Sequence, residues 1–306
     1  MYDVSCIGIL VTDVIAKPVD KIPSRGKLGL IDSIEVFSGG CAMSAAIALA
    51  KLGAKTCIIG KIGNDSFGKM MYDILKTESV STDGLIIDSN VSTSASIVLS
   101  DSLGERTFLH CASSNDNFNE NELDYNLIKN SKIAFVAGTM LMESFDGAQC
   151  AVALKKSKEL GVITALDTAW DDKGRWMDIL FPSMPFIDYF LPSIEEATEL
   201  SKKTDYNEIA DYFFSLGVKH VVIKLGKKGC FIKETQGSKS QILPVKDVKV
   251  IDTTGAGDSF CAGFLYGISH GMSFYDSAAL ANDVGTLCVQ KKGATTGIIP
   301  FTEIGG

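Results

Sequence analysis

Asp252-Thr253-Thr254-Gly255-Ala256-Gly257-Asp258-Ser259-Phe260 places two glycines and two carboxylates in one turn. An apolar run with helical spacing follows directly: Phe260, Cys261, Ala262, Phe264, Leu265 and Ile268. A helix that starts at Gly-Ala-Gly offers unpaired backbone N–H groups and the positive end of its dipole. Glycines let an anion approach that backbone closely, so the stretch reads as a phosphate cradle. A carboxylate in such a place is unfavourable unless it has a chemical task. Asp258 fits the task of a base, taking the proton from a hydroxyl that attacks the phosphate. The amides of Gly255, Ala256, Gly257 and Asp258 would then form the anion hole. The plain alternative is a glycine turn with an aspartate cap, and the coincidence of two glycines and two aspartates at one helix start disfavours it.

Around this turn, short β-rich runs alternate with amphipathic helical ones. Strands are predicted at 4–10, 56–60, 132–137, 162–167, 187–191 and 220–224, and helices at 41–52, 66–77, 121–129, 145–160, 194–201, 208–216, 256–270 and 274–290. Gly53, Gly161, Gly217 and Gly271 each stand just past a predicted helix, where a left-handed residue closes the last turn. Alternation of this kind predicts parallel β-α-β units and a three-layer α/β/α sandwich. Residues 30–37 and 95–110 break the rhythm: they read as strands without a helix of their own, the second as a hairpin turning at Asp101-Ser102-Leu103-Gly104. They predict a small separate β-sheet inserted early in the chain. Further strands are expected at 230–233, 241–243 and 248–250.

The chain has 306 residues, enough for one large α/β domain or two small ones. Its net charge of −8 argues against a nucleic-acid surface, which needs a basic stripe. No basic region followed by a long apolar segment opens the sequence, and no run of about 18 apolar residues occurs, so neither a secretory signal nor a membrane span is expected. Eight scattered cysteines lack C-x-x-C or Cys/His spacing and read as buried thiols of a reducing cytoplasm. Three distant histidines read as structural.

Residues 252–258 resemble the carboxy-terminal signature of the ribokinase-like (PfkB-type) carbohydrate kinases, D-T-x-G-A-G-D. Gly39-Gly40-Cys41-Ala42-Met43-Ser44, followed by Gly60-Lys61-Ile62-Gly63-Asn64-Asp65-Ser66-Phe67-Gly68, resembles the amino-terminal signature of the same family. The two stand in the family's order, and the resemblance covers nearly the whole chain. It implies one ribokinase-like α/β kinase domain over 1–306, with a mostly parallel central sheet. It also implies a β-lid formed by about 14–38 and 92–112, closing over the sugar and joining two copies into a homodimer. The implied activity is ATP-dependent transfer of the γ-phosphate to a sugar hydroxyl, with Mg²⁺ and a monovalent cation such as K⁺.

The resemblance carries over residue by residue. Asp13, at the end of the first predicted strand, would accept hydrogen bonds from two vicinal hydroxyls, a place where ligands sit in such sheets. Gly39 and Gly40 would lie against the sugar ring. Ser44 stands where the family has a substrate-contacting Asn, so a short hydroxyl replaces a two-pronged amide. Ser193-Ile194-Glu195-Glu196 resembles the N-x-x-E element, with Glu196 supporting Mg²⁺ through water; an N-cap with an acidic first turn is its structural alternative. Lys224-Leu225-Gly226-Lys227-Lys228-Gly229 resembles the nucleotide loop, with Lys224 in place of a hydroxyl residue and Gly226 and Gly229 shaping the turn. Asn282 matches the Asn beside the adenine. Gly293, with the Asp252 and Thr254 carbonyls, matches the monovalent-cation loop.

Rival readings remain within and outside the class. A nucleoside kinase on the same scaffold would stack its base on Phe108 or Trp170. A catalytically silent sugar-binding regulator is suggested by Ser44 and Ser193, and retention of Asp258 opposes it. A dinucleotide-dependent dehydrogenase is disfavoured because no G-x-G-x-x-G follows the first strand.

Overall fold

The computed structural model of the protein describes residues 1–103 and 105–304; Gly104, at the expected hairpin turn, lies outside the described residues. In chain order the strands are β1 (Tyr2–Gly8), β2 (Val11–Lys17), β3 (Ser33–Gly39), β4 (Thr56–Gly63), β5 (Ser81–Asp88), β6 (Ala95–Ser100) and β7 (Arg106–Cys111). They continue with β8 (Ser131–Thr139), β9 (Ile163–Thr168), β10 (Tyr189–Phe190), β11 (His220–Lys224), β12 (Cys230–Lys233) and β13 (Gln241–Leu243). Nine of them form one sheet in the order β13-β12-β11-β10-β9-β8-β1-β4-β5. The run from β11 to β5 is parallel throughout, and only the pairings β11–β12 and β12–β13 are antiparallel.

Helices cover both faces. Cys41–Leu52, Ser66–Thr77, Ala256–Ser269 and Phe274–Cys288 pack on one side, around Met43, Leu49, Met71 and Phe264. Ala148–Glu159, Ile194–Ser201 and Tyr206–Ser215 pack on the other, around Leu154, Ala197 and Phe213. Each fully buried Phe or Leu on these faces contributes roughly 2 kcal/mol of transfer free energy. The three-layer expectation holds, and Gly53, Gly161, Gly217 and Gly271 all have φ between 79° and 104°, as left-handed closing residues should.

The small sheet is real and has four strands, β3-β2-β6-β7. Its first strand departs from expectation. Residues 6–11 are apolar apart from Gly8, so the sequence suggests one long strand closed by Asp13. Instead β1 ends at Gly8, where a Cβ would meet the Ala137 carbonyl oxygen at 2.0 Å. The chain then crosses from one sheet to the other within two residues. Asp13 therefore sits inside β2, paired with Phe37 and Ser96.

Other differences are local. The helix expected at 121–129 is divided into a 3₁₀ turn at Glu120–Glu122 and a helix at Tyr125–Lys129, because the Asp124 side chain caps a new start by accepting from the Asn126 amide. The helix expected from 145 begins at Ala148, after Gly147 at φ 71°. Residues 81–88 form a parallel edge strand that Gly84 hides from an alternation count. Residues 248–250 form no strand.

Candidate active site

The parallel strands end on one side of the main sheet, and the turn 252–258 arrives there. Gly255, at φ 75°, starts the helix Ala256–Ser269; a Cβ on it would come within 2.5–2.7 Å of Ala294. Only glycine allows that approach. Asp252 braces the turn. One of its oxygens accepts from the Thr254 amide at 3.0 Å and the Thr254 hydroxyl at 2.7 Å, the other from the Gly293 amide at 3.0 Å. Asp252, Thr254 and Gly293 thus stand together, joined through the Asp252 side chain, and the Thr254 carbonyl also accepts a weak bond from the Cys288 thiol at 3.4 Å. The Ala256 amide is engaged with the Thr253 carbonyl at 3.2 Å, so the Gly257 and Asp258 amides are the ones best placed at the helix mouth.

Asp258 is half-buried on the first turn of this helix. Burial pushes its carboxyl up to about 6 and nearby Glu196 adds to the rise, while Lys224 and hydrogen bonds from Cys41 and Ser44 pull the other way. Cys41 and Ser44 belong to the first turn of the helix Cys41–Leu52, capped by Gly40 at φ 91°. Ser44 is buried and lies near Asp258. Ser44, where an Asn was expected, therefore bears on the Asp258 carboxylate. Gly39 lies against Asp13: a Cβ there would be 2.5 Å from its Oδ2.

Lys224 closes β11 and is held by Asp167, whose two oxygens lie 2.6 and 2.7 Å from its Nζ. Asp167 ends the predicted strand 162–167 and was not singled out there, although a carboxylate at the carboxyl end of a parallel strand is the same signal that marked Asp13. Burial lowers the Lys224 ammonium, but Asp167, Cys261 and Glu196 together outweigh it and the net shift is upward. Glu196 plays the structural part foreseen for it. Its Oε2 accepts from the Ser193 amide at 2.9 Å, while Ser193 Oγ accepts from the Glu196 amide at 3.2 Å, a reciprocal cap. The same Oε2 accepts from Thr168 Oγ1 at 2.9 Å. Glu196 also lines the cleft that contains Asp258.

Two clefts open here. One, of about 380 Å³, is lined by Cys41, Asp167, Glu196, Lys224, Gly257 and Asp258 among others. The second, of about 490 Å³ and largely apolar, is lined by Gly226, Gly229, Val248, Val250, Phe260 and Asn282 among others. Lys224, Gly226, Thr253, Ala256 and Gly257 border both. Asn282 is buried and donates to the Leu243 carbonyl at 2.9 Å. Among the described residues no three His, Cys, Asp or Glu side chains stand together as a metal-holding group. The histidines are structural in kind: His220 stacks on Tyr189 at 4.6 Å, His270 on Tyr266 at 4.1 Å, and His110 bonds Ser96. All eight cysteines are free; six are buried as expected, Cys41 is half-buried and Cys111 exposed. Among the described residues no helix is long and apolar enough to cross a membrane.

Solved structures share this architecture. A ribokinase from Arabidopsis thaliana, complexed with ribose and ATP, superposes with a TM-score of 0.88 at 25% identity, covering 99% of this chain and 97% of that one. A ribokinase from Thermotoga maritima superposes with a TM-score of 0.84 at 23% identity, covering 99% and 98%. The fold is therefore ribokinase-like. A fructokinase of Vibrio alginolyticus is 29% identical over 278 residues, 87% of this chain and 90% of its own. Fructokinase-2 of Oryza sativa subsp. japonica is 27% identical over 296 residues, 90% and 87%. The model of the pfkB family of carbohydrate kinases matches residues 1–301. The chain belongs to that family, and with it to the phosphotransferases that use an alcohol group as acceptor.

Proposed function

We propose that the protein transfers the γ-phosphate of ATP to a hydroxyl of a sugar, with Asp258 as the base. The observation that carries this reading is the shared wall of the two clefts. The first turn of the helix Ala256–Ser269 faces both, so a phosphoryl group seated there has Asp258 on one side and the apolar cleft on the other. Val248, Val250 and Phe260 suit the faces of an adenine, and Gly226 and Gly229 let its phosphates pass close to the backbone. Asp13, beside Gly39 and Gly40, orients the sugar through paired hydroxyls. The acceptor hydroxyl gives its proton to Asp258 as its oxygen attacks in line. The Gly257 and Asp258 amides, at the positive end of the helix dipole, take up charge growing on the transferred group.

Glu196, facing the cleft with Asp167 and Asp258, suits a Mg²⁺ held mainly by phosphate oxygens and water, which would neutralise phosphate charge. The braced turn of Asp252, Thr254 and Gly293 is the seat for a monovalent cation such as K⁺, and dependence of activity on K⁺ tests it. The free thiols suit a reducing compartment, the cytoplasm.

The small sheet serves as the lid, and its outer face supports a homodimer. Val36, Val14, Ile97 and Leu109 form one row across all four strands, and Val36, Ile97 and Leu109 are 45%, 47% and 61% exposed. Sedimentation of wild type against Ile97→Glu reads this directly, and a monomeric wild type rejects it.

The experiment that tests the main reading is ATP consumption with pentoses, hexoses, sugar acids and nucleosides as acceptors. Turnover with a sugar is expected. Turnover only with nucleosides would reassign the substrate, and ATP binding without acceptor-dependent ADP release would favour a binding protein.

A further inference from the structure

Asp167 and Lys224 stand at the ends of β9 and β11, with β10 between them in the sheet. The pair therefore reaches over the end of the two-residue strand Tyr189–Phe190. Asp167 is saturated: Oδ1 also accepts the Thr168 amide at 2.9 Å, and Oδ2 faces the Cys261 thiol at 3.5 Å. Three donor groups thus make four bonds to its two oxygens; burial pushes the carboxyl up to about 7, and Lys224 pulls it back toward the anion. The Lys224 ammonium has three protons and gives its strong bonds to this one carboxylate. It also reaches the Cys261 sulfur, at 3.9 Å.

A buried ion pair of this kind is a poor device for stability, because desolvation offsets the attraction and an apolar pair would hold the strands as well. Its location gives it another use. Of the residues that border both clefts, Lys224 alone carries charge. Its Nζ lies 3.5 Å from where a Cβ on Gly257 would be, against the helix mouth. Asp258 and Glu196 are the other carboxylates within its electrostatic reach, and an untethered ammonium would pair with either.

We propose that Asp167 is a positioning residue that clamps the Lys224 ammonium at the junction of the two clefts, where it binds the terminal phosphate of a nucleoside triphosphate. This rests on the reading of the clefts as a nucleotide-phosphate site. The clamp keeps the cation beside the phosphoryl seat and away from the base.

Calorimetric titration with ADP and with a methylene-bridged, non-hydrolysable ATP analogue tests it, at saturating Mg²⁺, on wild type, Asp167→Asn, Lys224→Met and the double variant. Each single change should weaken the analogue about tenfold, the scale of one charge-assisted hydrogen bond, and leave ADP within about twofold. The double variant should bind the analogue no more weakly than Lys224→Met, since Asp167 acts through Lys224. Equal losses for both nucleotides, additive losses in the double variant, or an unchanged analogue affinity would each overturn the proposal. Should Asp167→Asn not fold, the apolar pair Asp167→Leu/Lys224→Met carries the same ratio, and an unchanged ratio overturns it. A wild type that binds nucleotide but phosphorylates no sugar would remove the sugar-kinase reading and leave this inference standing. A wild type that binds neither nucleotide removes both.

Discussion

A methyl group on Gly39 would lie 2.5 Å from Oδ2 of Asp13. That close approach makes the end of β3, where the chain enters the helix Cys41–Leu52, a wall for the carboxylate proposed to hold the sugar. Asp13→Ala should weaken sugar binding by about 1.5–3 kcal/mol, the scale of hydrogen bonds to a charged group. Gly39→Ala should weaken it as well by displacing the carboxylate. Neither change should alter ATP affinity measured without sugar. Equal losses for both ligands in a calorimetric titration would give Asp13 a structural role.

Asp258→Asn should lower turnover by about a hundred- to ten-thousand-fold while ATP affinity stays within a few-fold, because the amide fills the same space and cannot accept the proton. Retention of more than about a tenth of wild-type turnover would exclude Asp258 as the base. The raised carboxyl has a signature in stability too. Its folded pKa of about 6 exceeds the ordinary 3.8, so the folded state holds this proton more tightly than the unfolded one. Stability from this group falls as pH rises from about 4 to 6 and stays reduced above. The Asn variant should therefore be more stable than wild type at pH 8, by on the order of 2 kcal/mol, with little difference at pH 4. Denaturant unfolding at the two pH values checks the sign.

Ser44→Ala should move the acidic limb of kcat/KM to higher pH. The Ser44 hydroxyl lowers the Asp258 carboxyl, so its removal raises it further and more of the base is protonated at a given pH. Activity at pH 6 should drop by several-fold, with near wild-type rates at pH 8. A pH profile parallel to wild type would show that Ser44 acts elsewhere.

Glu196→Gln should raise the Mg²⁺ concentration needed for half-maximal rate. The amide oxygen still accepts from the Ser193 amide and the Thr168 hydroxyl, so thermal stability should change by less than about 1 kcal/mol. Unchanged Mg²⁺ dependence would leave Glu196 as a helix cap alone.

Gly255→Ala should destabilise the protein and disorder the phosphate turn together. It forces a side chain into φ 75° and against Ala294 at 2.5 Å; strain of this kind costs about 1–3 kcal/mol. Parallel loss of ATP binding and thermal stability is the expected result, and a fully stable variant would contradict the packing described.

Much of the frame was legible because local chemistry and tertiary fold agree. The helices Cys41–Leu52, Ser66–Thr77 and Ile194–Ser201 and the strand His220–Lys224 have the bounds expected from periodicity and punctuation. Asp65 and Ser193 begin two of those helices with side-chain caps. The crossing between sheets after Leu10 was not legible, because both strands it joins are apolar and nothing but the close approach of Gly8 to Ala137 marks the exit. The Asp167–Lys224 pair was hidden for another reason. Its members are 57 positions apart in sequence, and each alone reads as a strand end. Ser44 was expected to face the ligand, and its relation to Asp258 was not legible, since a motif fixes a position on a helix and not the partner its short side chain will find.

Glu35 of the small sheet pairs with both Lys17 and Lys292. Lys292 adjoins Gly293, Gly293 gives its amide to Asp252, and Asp252 holds Thr254 immediately before Gly255. A continuous strut thus runs from the sheet bearing Asp13 to the backbone that opens the helix of Asp258. Mutations at Glu35 or Lys292, remote from any reacting atom, would loosen the joint that keeps acceptor and donor in register.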